Sequence, residues 1–95
     1  MRRELLTTEE IDALASVLPR WTAADGALTR TFEFADFTEA FAFMTRVAFV
    51  AEALDHHPDW SNVYNRVTIA VSTHDRDGLT DFDVAFAQQV DALTG

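Results

Sequence analysis

All three histidines of this chain stand among carboxylates. His56 and His57 lie within Glu52-Ala-Leu-Asp-His-His-Pro-Asp-Trp60, and His74 sits in Ser72-Thr-His-Asp75 with Asp83 further on. An imidazole with its ordinary pKa of about 6.5 both takes and gives a proton near neutrality, so this grouping points to general acid–base chemistry. Glu52 and His56 are four residues apart, and if a helix runs through both they share a face and hydrogen-bond, fixing the ring's tautomer. His57 follows directly and must point elsewhere, toward another side of any ligand.

Each residue also has a plainer reading. A histidine at the end of a helix complements the helix dipole. Thr80-x-x-Asp83 has capping-box spacing and would start a helix whatever its chemistry. Asp55 and Asp59 read as surface charge, and Trp60 as core. The histidine spacing is not that of a helical zinc motif, in which ligands stand four apart on one face, so no metal is expected. Three glycines without Gly-x-Gly or Gly-Lys-Ser/Thr give no phosphate cradle.

The elements that must position these residues follow from patterning. Thr7 to Leu18 reads as a helix, with Thr7 and Glu10 at capping-box spacing, Leu6 stapled to Ile11, and Ile11, Leu14, Ala15 and Leu18 on one stripe. Trp21–Ala24 and Ala27–Phe34 form a hairpin around Asp25-Gly26. Asp36 caps a long helix from about Phe37 to Asp55 that is apolar almost all round, so it is partly covered by its own fold and partly by a second subunit. Pro58 ends it. Trp60–Tyr64 and Arg66–Thr73 make a second strand pair around Asn65, Val67, Ile69 and Val71 alternating with Thr68, Ala70 and Ser72. After His74–Gly78, Thr80 opens a last helix with Phe82, Phe86, Val90 and Leu93 inward. The order α-β-β-α-β-β-α fits a two-layer α+β fold, a four-stranded antiparallel sheet with helices on one face.

At 95 residues, 48% of them apolar, the chain is expected to form a single domain over residues 1–95. The net charge of -9, from 16 acids against seven arginines and no lysine, disfavours nucleic acid as a partner. No apolar run has the length of a signal peptide or a membrane span, and a cytoplasmic location is expected. With no cysteine, disulfides and thiolate chemistry are excluded.

The run Asp55-His-His-Pro-Asp-Trp-Ser-Asn-Val-Tyr-Asn65, preceded by Glu52 and followed by Ser72-Thr-His74, Gly78-Leu-Thr80 and Asp83, closely resembles pterin-4a-carbinolamine dehydratase. In animals that family is also known as the dimerisation cofactor of a homeodomain transcription factor. The likeness extends to Phe43-Met-Thr-Arg-Val-Ala48 and covers nearly the whole chain. It implies dehydration of 4a-hydroxytetrahydropterin to quinonoid dihydropterin, the recycling step after aromatic amino acid hydroxylation, with no cofactor. By this likeness His56 and His74 are the acid–base pair and His57 holds the pterin. Glu52 and Asp83 support the rings, while Asp55, Ser72, Thr73 and Asp75 line the pterin. A homodimer or homotetramer and a functional link to an aromatic amino acid hydroxylase are implied too. Arg20, where the family often has glycine, and a short lead into the first helix depart from the pattern away from the site. The animal coactivator role is not carried over. The alternative is a non-catalytic binding or assembly factor of the same fold, which has no need of Glu52, His56, His57, His74 and Asp83 together.

Overall fold

The computed structural model describes residues 1–94. Helix α1 (Thr8–Val17) opens on a closed capping box: the Thr7 hydroxyl accepts from the Glu10 amide at 3.1 Å, and the Glu10 carboxylate accepts from the Thr7 amide at 2.9 Å. Such a cap contributes about 1 kcal/mol. Leu14 and Leu18 are buried with Ile11 partly so, whereas Ala15 on the same stripe is exposed.

Strands β1 (Thr22–Ala24) and β2 (Ala27–Glu33) are joined by Asp25-Gly26, both at positive φ (53° and 75°), the backbone a tight hairpin turn requires. Helix α2 (Phe37–Leu54) starts where the Asp36 carboxylate accepts from the Glu39 amide at 2.8 Å. It buries Ala40, Phe43, Val47 and Ala51, and leaves Phe37, Phe41 and Phe49 exposed. The all-round apolarity of its sequence therefore resolves into one covered and one open side.

Strands β3 (Asp59–Val63) and β4 (Arg66–Val71) pair antiparallel, and the sheet order is β1-β2-β4-β3. The turn's left-handed residue is Tyr64, while Asn65 joins the turn to the end of β2 through the Phe34 carbonyl at 2.9 Å. Register places Leu28 opposite Val71 and Phe32 opposite Val67. These side chains, with Ile69 and the buried residues of α1, α2 and α3 (Asp81–Thr94), form one core on the helical side. Each such side chain contributes roughly 1.5–3 kcal/mol by leaving water. The other face carries Thr31 and Thr68, whose hydroxyls are 3.1 Å apart.

Two details shape the end of the sheet where the histidines meet. First, β4 stops at Val71, and Thr73 instead bridges to Gly78, its amide donating to the Gly78 carbonyl at 2.8 Å. The closed loop so formed carries a 3-10 turn over His74–Arg76. Second, the chain's first residues lie against this loop, with the Leu6 amide bound to the Leu79 carbonyl at 2.8 Å. A Cβ on Gly78 would stand 2.8 Å from Leu5 Cδ2, so glycine is what lets Leu5 approach. No helix among the described residues is long and apolar enough to cross a membrane.

Candidate active site

Helix α2 ends because Asp55 adopts the left-handed conformation, φ 50° and ψ 46°. Asparagine and aspartate tolerate that region better than most residues. The Asp55 amide then donates to the Glu52 carbonyl at 3.2 Å and the His56 amide to the Ala51 carbonyl at 3.0 Å, the paired bonds of a Schellman ending. This reversal corrects the expected Glu52–His56 contact. Past a left-handed residue the helical four-residue spacing no longer holds, and the partners are exchanged. Glu52 Oε1 lies 2.6 Å from Nε2 of His57, and His56 turns inward to place its Nε2 2.6 Å from Asp83 Oδ1.

Asp83 is fully buried, a costly place for a carboxylate unless donors surround it. Its Oδ2 accepts from the Thr73 hydroxyl at 2.7 Å and from the Thr80 amide at 2.9 Å. Thr73 gives its one hydroxyl proton to Asp83, so the Thr80 hydroxyl 2.7 Å away must donate to Thr73. Thr80 Oγ1 in turn accepts from the Phe82 amide at 3.2 Å. The expected capping box is thus half made, with Asp83 reaching back to Thr80 while its other oxygen serves His56. Among the described residues no buried side-chain polar atom lacks a partner. With Asp83 accepting on both oxygens, the His56 ring donates from Nε2 and keeps Nδ1 as its second, unassigned nitrogen.

His74 stands on the closed loop, exposed, with Nε2 3.3 Å from Asp59 Oδ2. Each imidazole therefore has its own carboxylate: Asp83 for His56, Glu52 for His57 and Asp59 for His74. Among the described residues no group of three His, Asp or Glu side chains is arranged to hold a metal ion.

All three histidines line one cleft of about 480 Å³ between the end of α2 and the end of β4. Asp55, Ser72, Thr73 and Asp75 also line it, while Glu52 and Asp83 stand behind His57 and His56. Sequence reasoning missed two lining residues that carry charge, Asp59 and Arg3. Asp59 shows no sign of its role beyond lying near His57, and Arg3 reaches the cleft only because the first residues fold across the loop. Arg3 binds Asp75 at 2.6 Å, and its guanidinium holds the Asp75 carboxyl below the usual carboxylate range.

A larger cleft, about 740 Å³, opens beside Arg20, Arg30, Phe34 and Arg46. It contains no histidine, and two of its three arginines have structural work: Arg30 binds Asp91 and Arg46 reaches the Leu93 carbonyl. Size alone does not make a site, and of the two clefts the smaller is the one lined by imidazoles, the side chains most often used for general acid–base work.

The family model described as pterin 4 alpha carbinolamine dehydratase matches residues 4–93. A protein of Synechococcus sp. (strain WH7803), provisionally named pterin-4-alpha-carbinolamine dehydratase, is 56% identical over 89 residues, 94% of this chain and 96% of that protein. The crystal structure of a transcriptional coactivator/pterin dehydratase from Brucella melitensis aligns with a TM-score of 0.92 at 41% identity, covering 97% of this chain and 100% of that one. A pterin dehydratase-like protein identified as a RuBisCO assembly factor in the alpha-carboxysome aligns at a TM-score of 0.67 and 27% identity, over 80% of this chain and 88% of that one.

Proposed function

Since the chain belongs to the pterin 4 alpha carbinolamine dehydratase family, we propose that it dehydrates 4a-hydroxytetrahydropterin to quinonoid dihydropterin and water. The observation that carries this reading is the convergence of His56, His57 and His74 on one cleft, with His56 held by a buried carboxylate. Loss of water from a carbinolamine needs a proton delivered to the departing C4a hydroxyl and a proton taken from the ring nitrogen. A buried carboxylate stabilises the imidazolium that forms when its ring takes up a proton, which suits His56 to the base role. His74, open to solvent, is suited to protonate the hydroxyl and to recover its proton from water. His57 with Glu52 holds the pterin, and Asp55, Ser72, Thr73 and Asp75 line its ring.

The exposed Phe37, Phe41 and Phe49 of α2 support a homodimer or homotetramer, since an apolar patch of this kind is commonly covered. A link to an aromatic amino acid hydroxylase and a cytoplasmic setting complete the proposal. The second reading, a binding or assembly factor without catalysis, is favoured by the likeness to the RuBisCO assembly factor. Turnover separates the two. Purified protein is expected to accelerate the breakdown of chemically generated 4a-hydroxytetrahydropterin, and His56→Ala and His74→Ala are each expected to lower the rate by about 10²-fold or more without unfolding the domain. A wild-type protein with no effect on the rate supports the assembly reading instead.

A further inference from the structure

We propose that Arg3 is a positioning residue of the active cleft, tying together the two walls that carry His56 and His74; the inference rests on the dehydratase reading of that cleft. Arg3 is the one basic side chain other than histidine among the residues lining it, against Asp55, Asp59 and Asp75. Its guanidinium nitrogen is 2.6 Å from Asp75 Oδ2, on the 3-10 turn next to His74. The same guanidinium lies over the Phe82 ring, 5.4 Å from its centroid. Phe82 in turn packs against His56 with ring centroids 5.8 Å apart. One side chain thus touches a neighbour of each imidazole, through charge on one side and an aromatic face on the other.

Arg3 does not hang free, which is what allows it to position anything. Arg2 beside it donates to both oxygens of Asp81 and to Glu10, and the Leu6 amide binds the Leu79 carbonyl. The segment is pinned on both sides of Arg3. The Arg3 guanidinium also gives Asp75, one of three aspartates lining the cleft, a cationic partner. The span of the cleft is then set in part by residues far from it in sequence.

The test compares Arg3→Ala and Arg3→Lys with the wild type in two readouts. In the ligand-free protein, the imidazole Cε1–H resonances of His56 and His74 are expected to move in Arg3→Ala while that of His57, paired with Glu52, stays in place. In turnover of 4a-hydroxytetrahydropterin, Arg3→Ala is expected to lower kcat about fivefold with KM nearly unchanged, because the imidazoles it positions act in the chemical step and one exposed charge contact is lost. Arg3→Lys, which keeps the charge but not the forked guanidinium between Asp75 and Phe82, is expected to recover part of this. Unmoved His56 and His74 resonances overturn the proposal, as does an unchanged kcat in Arg3→Ala when the wild type turns over. If the wild type does not turn over, the dehydratase reading fails and the resonances alone decide whether Arg3 positions the rings.

Discussion

Nε2 of His56 and Oδ1 of Asp83 stand 2.6 Å apart, a contact that joins the end of α2 to the first turn of α3. The same carboxylate holds Thr73 and the Thr80 amide through its other oxygen. An amide at this position cannot do both. In Asp83→Asn the carbonyl oxygen remains with the two fixed donors, and the NH₂ group faces His56, forcing Nε2 to accept. The ring changes tautomer, with the proton moving to Nδ1. Turnover is expected to fall by about 10²- to 10⁴-fold, and long-range ¹H–¹⁵N spectra are expected to show the exchanged tautomer. An unchanged tautomer in the variant removes this account of Asp83.

Glu52 is a milder case, because it and His57 are both well exposed. Glu52→Gln is expected to change stability by less than about 0.5 kcal/mol and turnover by less than about fivefold. The His57 ring resonances move and those of His56 do not. Movement at His56 instead restores the pairing that four-residue spacing implies.

Asp55 pays a backbone strain that glycine would not. Asp55→Gly is expected to leave thermal stability nearly unchanged, whereas Asp55→Val is expected to lose about 1–2 kcal/mol, measured by urea unfolding. Equal stabilities would show that the left-handed ending does not persist in solution.

The Arg2 cluster sets a pH dependence. Asp81 is held below its ordinary carboxylate range by hydrogen bonds from the Arg2 side chain and backbone. Glu10 is lowered first by the Thr7 amide and then by Arg2. Groups lowered on folding stabilise the fold above their unfolded values, 3.8 for Asp81 and 4.5 for Glu10, and lose that contribution as pH falls through the folded values. Melting temperatures of wild type and Arg2→Ala are therefore expected to differ slightly at pH 6 and to converge as acid protonates both carboxylates in the folded protein. The difference stays small because solvent screens exposed groups. A gap that widens on acidification contradicts this sign.

Much of the fold was legible because its signals are local. Asp25-Gly26 carries the positive φ of its turn in its own chemistry, and Val67, Ile69 and Val71 alternate as a strand with one covered face must. The family likeness gathered the site residues, and the three histidines do share a cleft. The exchange of partners at Glu52 was not legible. It depends on a left-handed residue that is not glycine, and four-residue spacing alone does not report that the backbone reverses hand between Glu52 and His56. Arg3 was beyond reach for another reason: it meets Asp75 across 72 residues of sequence, and no periodicity reports such a contact. Asp59 lacked any mark separating it from the other surface acids.

The change of hand at Asp55 makes the spacing of this corner unforgiving. An inserted or deleted residue between Leu54 and Pro58 would hand the interior carboxylate to the wrong imidazole or to none. Chain length here, as much as side-chain identity, decides which of two adjacent, chemically identical rings is sheltered and which meets water.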